Sequence, residues 1–290
     1  MNAPELLLAG PTAVGKTEVA LQLAERLEGE IISVDSMQVY RGLDIGTAKP
    51  SAEERARVRH HLIDILDLHE SFDAAQFARR ASDAVREIRE RNRLPILCGG
   101  TGLYFKAWLE GIGTAPAADP KLRAELERLP RDALLQELRK ADPEMFERID
   151  RKNPRRVIRA LEVIRLTGKP FSQQHARPTP KSALFFVLER DRTDLHHRID
   201  RRVDEMFARG LVEETKRAGA SPATKQGLGY RQVIEHLEGK RNLDQTIALV
   251  KLRTRQYAKR QLTWFRHQAK ADWLHADEAV AVIQGKLRAT

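Results

Sequence analysis

Apolar residues along the chain alternate between short unbroken runs and stretches at helical spacing. Leu6, Leu7, Leu8 and Ala9 form the first run, which predicts a short buried strand, and Val19, Ala20, Leu23 and Leu27 mark a helix over 16–27. A second run, Ile31-Ile32-Ser33-Val34, leads into Asp35-Ser36. A third, Leu94-Pro95-Ile96-Leu97-Cys98, ends at Gly99-Gly100-Thr101-Gly102, with a helix predicted between them, roughly Asp73 to Glu90. Strands and helices in alternation predict a parallel sheet covered on both faces, with ligands at the carboxyl ends of the strands.

The pattern changes after Gly113. From Pro120 to Gly168 there is helical spacing and charge without a strand run, followed by a proline-rich polar stretch through Pro178 and Pro180, then the apolar strand Ala183 to Leu188. A helical insertion in a sheet domain follows, with segments 1–115, 116–182 and 183–290. Within the insertion Asn153-Pro154 is an N-cap with proline at the first helical position, and Gly168-Lys169-Pro170 is a stop. At 100° per residue, Val157, Ile158, Leu161 and Ile164 fall on one side of this helix and Arg155, Arg156 and Arg159 on the other. The last third predicts helices at roughly Asp194 to Ala218 and Leu243 to Phe265. The second holds Lys251, Arg253, Arg255, Lys259, Arg260 and, just beyond it, Arg266, with Tyr257, Trp264 and Phe265 among them.

With 290 residues, 41% of them hydrophobic, the chain can bury a real core. No run of apolar residues is long enough to span a membrane, and Met1 to Glu5 lacks the features of a secretory signal, so a cytoplasmic protein with no membrane partner is expected. Cys98 is the only cysteine, which excludes an internal disulfide and a cysteine-based metal cage. A net charge of +10 favours an anionic partner, with nucleic acid the first candidate.

Gly10-Pro11-Thr12-Ala13-Val14-Gly15-Lys16-Thr17 fits G-x-x-x-x-G-K-[ST], between a strand and a helix as the motif requires. Its amides and the helix N-terminus favour phosphate, Lys16 neutralises charge, and the Thr17 hydroxyl can ligate Mg²⁺. A nucleoside triphosphatase would place an Asp at the end of another buried strand. Here Leu94 to Cys98 ends in Gly-Gly-Thr-Gly, a second oxyanion-binding turn. The carboxylate follows the other strand, where Asp35 either accepts a proton from a nucleophile in the ligand crevice or acts as an ordinary helix cap. The pairs His60-His61 and His196-His197 lack metal-ligand spacing. Trp108, Trp264 and Trp273 are expected in the core, and Cys98 as a small hydrophobe.

Several segments together carry a resemblance over nearly the whole chain and in order: Gly10 to Thr17, Asp35 to Arg41, Asp44-Ile45-Gly46-Thr47-Ala48-Lys49-Pro50, Gly99 to Tyr104, Asn153 to Arg159, Gly229-Tyr230-Arg231-Gln232, and Arg255-Gln256-Tyr257-Ala258-Lys259-Arg260-Gln261. In these the chain resembles the tRNA dimethylallyltransferase, or tRNA isopentenyltransferase, family. The resemblance implies an α/β fold, a P-loop NTPase-like core with a parallel sheet flanked by helices, plus an inserted all-helical domain. It also implies transfer of a prenyl group from dimethylallyl diphosphate to N6 of the adenosine 3′ of the tRNA anticodon, with pyrophosphate leaving and Mg²⁺ assisting.

By the same resemblance Asp35 is the general base, Thr101 and Arg202 act on the pyrophosphate, and Ser36, Met37 and Gln38 lie beside the target base. Contacts to tRNA are implied for Asp35, Ser36, Met37, Gln38 and Thr101; for Arg123, Arg155, Arg156, Val157, Ile158 and Arg159; and for Lys225, Gln226, Gly227, Leu228, Gly229 and Tyr230. The family's ATP-binding label leaves nucleotide occupancy open, and a monomer is expected. Gly102 and Gly227 stand where family members differ. The rival readings are a nucleotide kinase, a prenyltransferase acting on free AMP, and a binding protein that uses its loop as a nucleotide switch.

Overall fold

The computed structural model describes residues 4–111, 113, 115–174 and 183–288. In chain order its elements are β1 (Glu5–Ala9), α1 (Lys16–Arg26), β2 (Gly29–Val34), α2 (Ala52–Arg57), β3 (His60–His61), α3 (Ala74–Glu90), β4 (Leu94–Gly99) and α4 (Gly102–Glu110). Then come α5 (Pro120–Glu127), α6 (Arg131–Ala141), α7 (Pro143–Arg148) and α8 (Pro154–Thr167). The chain ends with β5 (Ala183–Glu189), α9 (Arg192–Ala208), α10 (Leu211–Ala218), α11 (Pro222–Gln226), α12 (Tyr230–Leu237), α13 (Leu243–Gln268), β6 (Asp272–His275) and α14 (Ala279–Arg288). It divides into two compact units, 1–107 with 181–290, and 108–180.

The first unit is built on a six-stranded sheet in the order β3-β2-β4-β1-β5-β6, every pair parallel. Helices over both faces explain why the strands read as unbroken apolar runs: every residue of β1 is buried. Leu6, Leu8, Ile96, Phe186 and Leu188 pack with Val19, Ala20 and Leu23 of α1 and Ile199 and Val203 of α9. Asp73 caps α3 by accepting from the Gln76 N–H at 2.8 Å, and Phe77, Ala81, Ala84, Val85 and Ile88 form its buried stripe.

Several features differ from the sequence reading, among them α2, α11, α12 and α14, which it did not predict, and a helical unit that begins at 108 and not at 116. The edge strands β3 and β6 have two and four residues, too short for a periodicity to register. The helix expected over 194–218 is two helices, α9 and α10, because Gly210 takes φ 96, a left-handed backbone that interrupts the ladder. Trp108 is a core residue as expected, whereas Trp264 and Trp273 are only partly buried.

The second unit is helical. Leu126, Leu134, Leu138, Met145, Val157, Ile158, Ala160 and Leu161 form its core. The ends of α8 are as the sequence requires: the Asn153 side chain accepts from the Arg156 N–H at 3.4 Å, Pro154 opens the first turn, and Gly168 closes the last with φ 67. Among the described residues no helix is long and apolar enough to cross a membrane.

Candidate active site

Sheet order brings three loops together. The last residue of β4, Gly99, pairs with Ala9 of β1 on one side and Val34 of β2 on the other. The phosphate loop, the Gly100-Thr101 turn and the Asp35 turn therefore leave the sheet side by side at its carboxyl end. They border a cavity of about 770 Å³, lined by Thr12, Lys16, Thr17, Asp35 to Gln38, Gly99, Gly100, Arg202 and Gln226 to Tyr230.

The phosphate loop is tied by two arginines that its motif does not announce. Arg198 Nε donates to the Ala13 carbonyl at 2.9 Å and Arg190 Nε to the Val14 carbonyl at 2.7 Å. Arg190 is itself held by Asp194 and Asp277. Lys16 Nζ donates to the Pro11 carbonyl at 2.9 Å. Burial lowers its pKa to about 8, with Arg202 adding to the effect and Cys98 and Asp35 opposing it. The Cys98 thiol, pushed up to about 11 by burial, stays neutral beside the Lys16 carbonyl, so Cys98 serves as wall rather than nucleophile.

Arg202, on α9, forms no ion pair among the described residues although it lines the cavity. Burial, followed by the Arg198 guanidinium, lowers its pKa. A partly buried guanidinium with no direct ion pair, only the more distant Glu205 carboxylate opposing the shift, can accept an anionic ligand. Thr101 lies just outside the cavity lining; its hydroxyl is buried with no hydrogen-bond partner, and its N–H donates to the Val34 carbonyl at 3.2 Å, next to Asp35.

Asp35 caps a turn and not the helix that was the ordinary alternative, since no helix follows it before Ala52. Its Oδ1 accepts from the Met37 N–H at 2.8 Å and the Gln38 N–H at 3.2 Å, which closes the turn and fixes the carboxylate; Oδ2 makes no such bond. The Gln38 carboxamide is committed elsewhere: Oε1 accepts from Ser33 Oγ at 2.8 Å, and Nε2 reaches the Thr47 and Ala48 carbonyls, each at 3.3 Å. Those carbonyls belong to a loop anchored by the buried carboxylate of Glu214, which accepts the N–H groups of Asp44, Ile45 and Gly46 and the Tyr230 hydroxyl at 2.7 Å. Burial and this bond to Glu214 push the Tyr230 pKa up. Tyr230, almost fully buried, is thus a packing and anchoring residue, while Lys225 is exposed and outside the cavity lining.

In the helical unit the arginines expected to share one task are divided. Arg155 and Arg156 are exposed. Arg159 and Arg123 instead reach the fully buried Glu162, at 2.6 and 2.8 Å, and Arg159 also donates to the Pro116 carbonyl at 2.6 Å. Val157 and Ile158 face the core, so their side chains pack and do not present an RNA-facing surface.

Sequence reasoning assigned no role to Arg190, Arg198 or Glu214, and it marked Arg253, Tyr257, Arg260 and Gln261 of α13 without placing them on the cavity wall, where they stand. The basic and aromatic spacing of that helix, with the Arg255 to Gln261 stretch, was the signal for this wall.

Fold and cavity together define the class: an α/β enzyme with a P-loop-like fold in which the glycine loop, Lys16, Arg202 and the carboxylate of Asp35 line one chamber. Within that class the chain belongs to the IPP transferase family, whose model matches residues 38–268. It is 49% identical over 294 residues to a tRNA dimethylallyltransferase of Halorhodospira halophila, covering 96% of this chain and 94% of the relative. The crystal structure of a tRNA isopentenylpyrophosphate transferase from Bacillus halodurans is similar at a TM-score of 0.72 and 42% identity, over 99% of this chain and 98% of the other. A eukaryotic dimethylallyltransferase crystallised acting on tRNA is similar at a TM-score of 0.81 and 28% identity, over 98% of this chain and 78% of that one.

Proposed function

We propose that the chain transfers the dimethylallyl group of dimethylallyl diphosphate to N6 of the adenosine 3′ of the anticodon in tRNA. The observation that carries this reading is the shared cavity, with Lys16, Thr17 and Arg202 able to hold a diphosphate and Asp35 turned to the same space. The C–O bond to the diphosphate breaks as the N6–C bond forms. The departing oxygens gain charge, which Lys16, Arg202 and the loop amides stabilise. The N6 proton passes to the free oxygen of Asp35. An adenosine must leave its stack to enter such a chamber, which calls for a grip on the flanking RNA, and Arg155 and Arg156 are suited to supply it.

Mg²⁺ fits the residues present in one respect: Thr17, on the cavity wall, offers a hydroxyl that would help hold it. No group of three or more acidic, histidine or cysteine side chains collects among the described residues, and Mg²⁺ often draws its remaining ligands from phosphates and water. When bound it would neutralise charge on the leaving group. A monomer suffices, because the cavity takes all these residues from one chain.

The test supplies Mg²⁺, dimethylallyl diphosphate and either an anticodon stem-loop with adenosine 3′ of the anticodon or free AMP, with products read by mass spectrometry. One added C5 unit on the stem-loop alone is expected. Addition to AMP alone would reassign the acceptor, and ATP consumption with neither acceptor modified would make the loop a nucleotide site. Asp35→Asn should reduce transfer about 10²-fold while leaving stem-loop affinity intact, the scale of a lost general base. Near-normal turnover would remove Asp35 from the chemistry.

A further inference from the structure

One buried side chain of α13 joins the two glycine turns. Gln261 Oε1 accepts from the Thr12 N–H at 2.9 Å, and its Nε2 donates to the Gly100 carbonyl at 2.9 Å. A primary carboxamide suits this task, since it accepts and donates at one end without carrying charge. Gly100 makes the room: a Cβ there would overlap the Gln261 carboxamide. The two joined residues serve different sides of the cavity. Thr12 lies in the phosphate loop, whereas Gly100 precedes Thr101, whose amide is bonded to the carbonyl just before Asp35.

We propose that Gln261 is a positioning residue that sets the separation between the loop holding the leaving group and the turn carrying Thr101 beside Asp35. The β1–β4 ladder pairs its last residues at Ala9 and Gly99, and the turns beyond it diverge to different tasks. Gln261 spans them there. It transfers no proton and acts only through the Thr12 amide and the Gly100 carbonyl. Displacement at an allylic carbon depends on the leaving oxygen and the acceptor nitrogen being held in register, so loosening this tie costs rate even when both substrates are bound. The kinetic consequence rests on the prenyl-transfer reading; the effect on the phosphate loop does not.

The test uses Gln261→Met, close in size but able to make neither bond, and Gly100→Ala, which dislodges the carboxamide from the other side. Three quantities are measured for the full chain: the Kd of inorganic pyrophosphate with Mg²⁺, kcat at saturating substrates, and the Kd of the stem-loop. Gln261→Met should weaken pyrophosphate binding and lower kcat by about tenfold or more each, while stem-loop Kd stays within about twofold. Gly100→Ala should move the same quantities in the same direction, and the double variant should be no worse than the worse single one, because both remove one tie. Parent-like pyrophosphate Kd and kcat, effects that multiply in the double variant, or equal loss of stem-loop binding would each overturn the assignment. A parent chain that transfers no prenyl group would defeat the functional reading alone, since the pyrophosphate measurement still decides the tie.

Discussion

Lys16 is held between two demands: a phosphate ligand wants an ammonium, and burial resists one. Burial brings its pKa from the ordinary 10.5 to about 8, so the free protein loses this charge across a range where an exposed lysine keeps it. A bound diphosphate favours the charged form, and binding between about pH 8 and 10.5 must therefore take up a proton. The affinity of dimethylallyl diphosphate should fall as pH rises above about 8, whereas Lys16→Met should bind more weakly and show no such slope. Calorimetry from pH 7 to 9.5 checks this, with proton uptake counted in two buffers of different ionisation enthalpy. A flat parent profile would separate Lys16 from the phosphate. Folding has the opposite sign: the unfolded chain keeps the proton up to about 10.5, so stability of the ligand-free protein rises as pH climbs through that window.

At this scale the sequence disclosed the residues whose chemistry is local. The phosphate loop lies within eight consecutive positions, and Asp35 follows its strand directly. Gln261 stood in a quoted stretch, but its bridging role was beyond reach because its partner Thr12 is 249 residues away. Glu214 was hidden for a similar reason: a glutamate in an amphipathic helix looks solvated until the loop it anchors folds over it. The departure at Gly102 also gains a cause, because a side chain there would overlap the Trp264 ring.

Elements were legible where a period and a cap coincide, and α8 shows both the strength and the limit of that reading. Its apolar stripe and its Asn153 and Gly168 ends were visible, but periodicity assigns a residue to a side and not to a partner. Arg159 and Glu162 share the polar side, which the spacing assigns to solvent, yet Glu162 is fully buried and Arg159 is drawn to it. Burial raises the Glu162 pKa, but the bonds from Arg159 and Arg123 and the Asp119 N–H outweigh it and hold the carboxyl below its ordinary 4.5. Glu162→Ala leaves two guanidiniums and that N–H without their acceptor, and should destabilise the helical unit by about 3 kcal/mol. Hydrogen exchange of the α8 amides would report it; protection equal to the parent's would show the pair to be dispensable. The contribution of a depressed carboxyl is present above about pH 4.5 and is lost as pH falls through its folded pKa, so the parent and variant should converge in acid.

For the molecule as a whole, alternation of strands and helices gave the parallel sheet, and its interruption after Gly113 pointed to a helical stretch, whereas the compact helical unit begins at 108. The net charge of +10 is a poorer guide, because many of its cations are already engaged. Lys49 lies between Asp44 and Asp64, Arg91 on Glu30, Arg255 on Asp200, and Arg123 and Arg159 on Glu162. A cation paired inside the protein releases few counter-ions when RNA arrives, whereas an exposed and unpaired one releases nearly its full share. Arg155 and Arg156 are exposed at the start of α8 and form no ion pair among the described residues. Each of Arg155→Ala and Arg156→Ala should therefore reduce the slope of log K against log salt by about 0.7 to 0.9 for an anticodon stem-loop measured between about 50 and 200 mM salt. Arg159→Ala should leave the slope near the parent's and lower the stability of the helical unit instead, since its charge is spent on Glu162. If Arg159→Ala flattened the slope as much as the other two, Arg159 would leave Glu162 for phosphate when RNA binds. If none of the three changed it, the RNA would be gripped by other cations, and the exposed end of α8 would have no part in binding.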